Sequence, residues 1–186
     1  MSELQFRSAT LDDVDLIVAL VTSAYRGDPS RAGWTTEADL LEGARIDADV
    51  LRGDIARADS RVLLAERPST RSGQAAELLA CAHVARDGDA GYFGMFSVVP
   101  GLQGAGIGKR VLAECERIAR DEWHLPAMRM SVIDVRDALI AFYERRGYRR
   151  TGILKPFPYG DARFGIPLRD DLRFEVLEKP LAGATA

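Results

Sequence analysis

The feature that most constrains this chain is an apolar stretch, 91–99, that runs into a glycine-spaced turn and then into a helical pattern. The turn reads Val98-Val99-Pro100-Gly101-Leu102-Gln103-Gly104-Ala105-Gly106-Ile107-Gly108-Lys109. A strand that feeds a helix this way leaves the helix's first N–H groups without intrahelical acceptors, at the positive end of its dipole. An anion placed there gains several hydrogen bonds together. Glycine at 104, 106 and 108 removes the Cβ atoms that would hold a bulky diphosphate at a distance. The expected ligand is a nucleotide-like cofactor gripped by its phosphates.

Two familiar glycine loops fail position by position. A Walker loop ending at Gly108-Lys109 needs Gly at 103 and Ser or Thr at 110, where the chain has Gln103 and Arg110. A dinucleotide fingerprint needs G-x-G-x-x-G, and Lys109 stands where its last glycine belongs. Gln103 followed by alternating glycines resembles instead the pyrophosphate loop of the GNAT superfamily, the acyl-CoA-dependent N-acyltransferases. Further on, Ala141-Phe142-Tyr143-Glu144-Arg145-Arg146-Gly147-Tyr148 is similar to that family's second landmark: a helix bearing a Tyr, a terminating Gly, then a strand opening on an aromatic.

Composition permits this reading and excludes others. A chain of 186 residues, 47% apolar and 28% charged, suits one globular domain over 1–186. A formal net charge of −3 gives no global reason to bind nucleic acid or an anionic membrane. No apolar run approaches the roughly 20 residues that span a bilayer, and the first residues do not read as a secretory signal, so the expected location is cytoplasmic. Cys115 falls on the inward stripe Ile107, Val111, Cys115, Ile118, and Cys81 lies in an apolar run, so both thiols read as core. An acyl-enzyme route through either would need a partner such as His83 or His124, which nothing positions. No metal-ligand pattern is evident.

Along the chain, 4–8 reads as a first strand, and Thr10 with Asp13 caps a helix whose core stripe is Val14, Ile17, Val18, Val21, Ala24 and Tyr25. Gly27-Asp28-Pro29 breaks it. Thr36 followed by Asp39 then opens a short helix carrying Leu40, Leu41 and Ala44, and a third covers 47–58, weakened by Gly53. Strands at 61–66, 78–86 and 91–99, separated by a polar loop at 68–76 and a turn at 87–89, form an antiparallel meander. The 91–99 strand is expected at the centre, with Tyr92, Phe96 and Val98 on one face and Phe93, Met95 and Val99 on the other. A long helix over 104–122, a strand at 128–133, a helix at 137–146, a strand from Tyr148 and a last strand on Leu172, Phe174 and Val176 complete the order.

That order matches the GNAT fold over almost the whole chain. The resemblance implies an α/β (α+β) architecture: a mixed, mostly antiparallel sheet flanked by helices, its central strands at 91–99 and 128–133 splayed apart. Acetyl-CoA is implied in the gap, its pantetheine arm pairing with backbone at Ser97, Val98 and Val99. Its pyrophosphate is implied on Gln103, Gly104, Ala105, Gly106, Ile107, Gly108 and Lys109. A backbone N–H near Val98 is expected to polarise the thioester carbonyl. Tyr143 corresponds to the family's acid, which protonates the departing thiolate. Many relatives carry a carboxylate base on the central strand, but 91–99 has no Asp or Glu, leaving ordered waters, His83, Glu37 or Asp161. Arg136 stands where relatives often have Asn, and is expected to reach a phosphate or a substrate carboxylate.

Two loops set substrate choice in this fold. Here they offer Tyr25, Arg26, Arg31 and Trp34 from the first, and Phe157 and Tyr159 from the second. Aromatics mixed with arginines suit a compact, polar or anionic small molecule. The reading is an N-acetyltransferase acting on the primary amine of a small molecule, an amino acid or related amino-carboxylate first. Peptide or protein N-termini, and a non-catalytic acyl-CoA sensor, stay open as alternatives, as does the choice between monomer and homodimer.

Overall fold

The computed structural model describes residues 4–69 and 75–181, so part of the loop expected at 68–76 lies outside the described residues. The chain runs β1 (Gln5–Ser8), α1 (Val14–Tyr25), α2 (Gly27–Ser30), β2 (Leu41–Glu42), α3 (Ala48–Ala56), β3 (Ser60–Arg67) and β4 (Glu77–Asp87). It continues through β5 (Ala90–Val98), α4 (Ile107–Arg117), β6 (Ala127–Ile133), α5 (Asp137–Glu144), β7 (Arg149–Pro156), β8 (Ile166–Pro167) and β9 (Arg173–Pro180). Among the described residues seven strands form one mixed sheet in the order β1-β3-β4-β5-β6-β9-β7, in which only β5 and β6 are parallel. Helices cover both faces. Between the sheet and α4 and α5 lie Phe93, Val111, Cys115, Ile118, Met128 and Ile140; between the sheet and α1 and α3 lie Ile17, Val21, Leu51, Leu64 and Cys81.

The first helix starts where the sequence places it. Asp13 accepts the Thr10 N–H at 2.8 Å and pairs with Arg7 at 2.7 Å, and Arg7 also reaches Glu66 on β3. The Arg7 hydrogen bond holds the Asp13 carboxyl at about 2, below its ordinary 3.8. A depressed carboxylate contributes stability above its unfolded value and loses it as pH falls through the folded one. Asp13→Ala should therefore cost roughly 1 kcal/mol at neutral pH. Urea denaturation would show the gap to wild type narrowing between pH 4 and pH 2; equal midpoints at pH 7 would contradict this.

Three expectations are corrected. The helix expected from Thr36 is instead a turn followed by β2, which pairs with β8 through Leu41↔Pro167 and Glu42↔Ile166, while Leu41 is buried with Ile133, Phe157 and Leu172. That long-range pairing outweighs the local capping signal. The helix expected over 104–122 begins at Ile107, and its last turn, Ile118–Glu122, widens to π geometry. Along β5 a bulge opposite β4 interrupts the alternation: Cys81 faces Ser97 but His83 faces Gly94, and Met95 sits at φ 47°. The extra residue exchanges the faces beyond it. Phe96 and Val98 therefore pack with Phe93, and Met95 lies beside Tyr92 on the α3 side.

Candidate active site

Gly106 forms the N-cap of α4 with φ 84°, a left-handed conformation that side-chain-bearing residues adopt at a cost. The turn uses the Gln103 and Ala105 N–H groups internally, on Pro100 and Leu102. Those of Gly104, Gly106, Ile107, Gly108 and Lys109 donate to no protein acceptor among the described residues. Five free donors thus converge at the positive end of a helix. Four of their residues, Gly104, Gly106, Gly108 and Lys109, line a cleft of about 270 Å³ that Trp34, Phe142, Arg145 and Arg146 also line. Together with Lys109, the two arginines give the cleft three cations, which suits a diphosphate.

From this cleft a gap leads through the sheet. β5 and β6 pair only at Gly91↔Met128 and Tyr92↔Arg129, and then diverge. The Val99 N–H bonds Leu79 on β4, so alternation turns Ser97 toward β4 and Val98 toward the gap. Two carbonyls on the gap side are occupied: Phe96 O accepts the Tyr25 hydroxyl, and Val98 O accepts Gln103 Nε2 at 3.3 Å. Among the described residues no acceptor meets the Val98 N–H. A small cavity of about 60 Å³ in the gap meets Tyr25, Phe96, Val132, Arg136 and Tyr143. Beyond it, a cavity of about 260 Å³ is lined by Glu37, Arg45, Tyr92 and Ser131, with Phe157, Phe164 and Phe174.

The Tyr143 ring is 4% exposed, edge-on to Phe142, Tyr148 and Phe93 at 5.2, 5.8 and 6.3 Å. Its hydroxyl makes no hydrogen bond among the described residues. Burial pushes this phenol well above its ordinary value, so it stays protonated throughout the neutral range. Neither cysteine is reactive: burial raises the Cys81 thiol to about 12 and moves Cys115 the same way.

Comparison with known proteins decides the family. The sequence profile of the acetyltransferase (GNAT) family matches residues 29–148, well over half of the chain. The chain belongs to the GNAT acetyltransferase family. It is an acyltransferase, and it shares its fold with solved GNAT enzymes. The ribosomal-protein-S18-alanine N-acetyltransferase from Escherichia coli superposes with a TM-score of 0.64 at 14% identity, covering 98% of this chain and 97% of that one. An N-acetyltransferase from Staphylococcus aureus Mu50 gives 0.69 at 11% identity, with 97% and 99% covered. A spermidine N-acetyltransferase chimera from Vibrio cholerae gives 0.66 at 14%, with 98% of each covered. No curated protein sequence matches the chain. Among the described residues no helix is long and apolar enough to cross a membrane, and no group of side chains could hold a metal ion.

The site residues expected of this acetyltransferase are distributed unevenly. Gln103 lines the cleft and is also a tie: its Oε1 accepts the Trp34 and Thr35 N–H groups, and its Nε2 donates to Thr35 Oγ1 at 2.8 Å. Trp34 lies tilted 5.5 Å from Phe142 in the glycine-turn cleft, and does not line the cavity that holds Phe157. Arg136 lines the gap cavity but its guanidinium is engaged within the protein: it donates to Glu37 at 2.8 Å and to Thr35 O. Arg26 is buried on Glu37 at 2.7 Å, and Arg31 is a surface partner of Asp39. Tyr159 fixes its own loop, accepting the Leu172 N–H at 2.8 Å and donating to Arg169 O.

The three expected bases also separate. Burial alone would raise Glu37, but Arg45, Arg136 and Arg26 outweigh it and hold the carboxylate ionised and low, a poor proton acceptor. Asp161 caps the Ala162–Phe164 turn and pairs with Arg163 at 2.6 Å. His83 is kept neutral by burial, and its Nε2 meets Ser60 Oγ at 2.7 Å. Because Ser60 already donates to Asp54 O, His83 Nε2 is the donor and Nδ1 keeps its lone pair. It lines a cavity of about 240 Å³ that shares Arg45, Tyr92 and Phe164 with the cavity holding Phe157.

Sequence reasoning missed Arg45, Arg145, Arg146 and Tyr92. The two adjacent arginines sat within the second landmark and were passed over for Tyr143. Tyr92 was assigned to packing, yet a Cβ built on Gly94 would fall 2.2 Å from its hydroxyl, so the glycine makes room for this phenol beside the strand. No local pattern marks Arg45.

Proposed function

We propose that the protein moves the acetyl group of acetyl-CoA to the primary amine of a small amino-carboxylate. One observation carries the reading: the glycine turn with its free N–H groups lines a cleft that shares Tyr25, Phe96 and Leu139 with the small gap cavity, which in turn shares Glu37, Arg45 and Ser131 with the 260 Å³ cavity. A diphosphate fits the donors of Gly104 and Gly106 to Lys109, with Arg145 and Arg146 opposite. When bound, acetyl-CoA supplies an activated thioester. Val98 N–H stabilises the oxyanion that develops as an amine attacks, and Tyr143 Oη donates toward the leaving sulfur. A C–N bond replaces the C–S bond, and the proton lost by nitrogen balances the one the sulfur gains.

The described cavities favour a small acceptor over a peptide terminus. At about 260 Å³ the substrate side falls below the range of drug-sized pockets, and loop residues Phe157 and Phe164 wall it. Spermidine and an alanine of ribosomal protein S18 are among the acceptors named for structural neighbours. The reading includes a cytoplasmic location, since acetyl-CoA is an intracellular thioester. Purified protein and acetyl-CoA, screened against a library of amines with release of free thiol as the signal, should give turnover with amino-carboxylates and none with polyamines or peptide N-termini. Preference for spermidine or for a peptide would overturn the acceptor class.

A further inference from the structure

Three guanidiniums surround one carboxylate in the wall between the gap and the substrate-side cavity. Arg26 Nη1, Arg136 Nη1 and Arg45 Nε lie 2.7, 2.8 and 3.3 Å from Glu37, which is 3% exposed. Three cations on one anion leave the group with net positive charge in a poorly solvated place, where unpaired charge is costly. Arg136 spends its other Nη on Thr35 O. Arg26 is closed in beneath Gly165, where even a Cβ would come within 2.9 Å of its Nη2.

Arg45 differs from both. Its guanidinium lies 4.8 Å above the Tyr25 ring, and its Nη groups donate to no protein acceptor among the described residues. Its side chain lines the gap cavity, the 260 Å³ cavity and the adjoining 240 Å³ one. Glu37 is the only carboxylate among the described residues lining the first two; in the third, Asp47 caps α3 and Asp54 stands 3.7 Å from His83. An open guanidinium edge is a planar fork matched to a carboxylate.

We propose that Arg45 receives the carboxylate of the acceptor, which is therefore an α-amino acid or near relative whose apolar side chain lies against Phe157, Phe164 and Phe174. The α-amine, two bonds from that carboxylate carbon, then faces the gap that holds Tyr143 and the β5 edge. The proposal rests on the acetyl-transfer reading only for the fate of the amine. Binding can be tested apart from turnover.

Calorimetry on the full chain, with L-leucine, L-methionine, L-phenylalanine and L-tryptophan each set beside its amide, reads the carboxylate directly. At least one acid should bind tenfold or more tightly than its amide, about the effect of one charge-assisted hydrogen bond. Arg45→Met should abolish that preference while acetyl-CoA binds as in wild type. Arg45→Lys, which keeps the charge and loses the fork, should retain the preference at weaker affinity. Amides binding as well as acids, no acid binding at all, or an unchanged preference in Arg45→Met would overturn the proposal. Carboxylate-dependent binding without acetyl transfer would support Arg45 and refute the acetyltransferase reading. Efficient transfer to amines lacking a carboxylate would do the reverse.

Discussion

Gly106→Glu should abolish acetyl-CoA binding while leaving a folded protein. A Cβ at this position meets nothing within 4 Å, so no packing is lost, and the strain comes from the left-handed φ of 84°. That strain is on the order of 1–2 kcal/mol, against a typical domain stability of about 5–15 kcal/mol. The effect on the ligand is much larger. A carboxylate at the N-cap competes for the free N–H groups and repels the diphosphate they are placed to hold. Losing two hydrogen bonds to a charged group removes about 3 kcal/mol or more, which corresponds to roughly 100-fold or more in affinity. Calorimetric titration with acetyl-CoA measures this, and circular dichroism checks the fold. Wild-type affinity in the variant would move the pyrophosphate elsewhere.

Tyr143→Phe should lower kcat by roughly 10²- to 10⁴-fold, the range for loss of a positioned acid, with the KM for acetyl-CoA within a few-fold of wild type. The substitution removes one oxygen that no protein group bonds, and keeps a ring held by Phe142, Tyr148 and Phe93. The fold should not register the change. Since burial already holds the phenol far above its ordinary 10.0, no alkaline loss of activity below that pH should trace to Tyr143. A parallel loss of acetyl-CoA affinity would make Tyr143 a packing or binding residue. Unchanged cofactor binding with no thiol released by any amine, in wild type as in the variant, would favour the idle sensor.

Periodicity made most of the fold legible. Of the stripe Ile107, Val111, Cys115, Ile118, the last three are buried and Ile107 half-buried, and the strands of the meander fall within a residue or two of their expected bounds. What escaped depends on contacts distant in sequence. β2 and β8 are two residues each and exist only as a pair, so Thr36 and Asp39 read locally as a helix start. The bulge at Met95 inserts one residue into a period-two pattern, and strict alternation therefore placed Phe96 on the wrong side of the sheet.

The candidate site divides in the same way. Its glycine-turn half is contiguous in sequence, so the free N–H donors fall inside the segment that the Gln103 to Lys109 pattern marks. The half proposed for the acceptor is assembled from β5, β6 and three loops, and there charge alone misled. Arg26, Arg31 and Arg136 are equally charged on paper, but burial on Glu37 or pairing with Asp39 occupies each of them. Arg45, with no motif around it, is the arginine of the Glu37 cluster whose outer edge stays open to a cavity.

The most direct test is a crystal structure of the wild-type protein grown with acetyl-CoA. The expected result is a pyrophosphate bonded to the backbone N–H groups of Gly104 and Gly106 to Lys109, with the acetyl carbonyl within hydrogen-bond reach of Val98 N–H and the sulfur facing Tyr143. A cofactor bound outside the cleft between β5 and β6, or a pyrophosphate held by side chains away from the glycine turn, would contradict that placement.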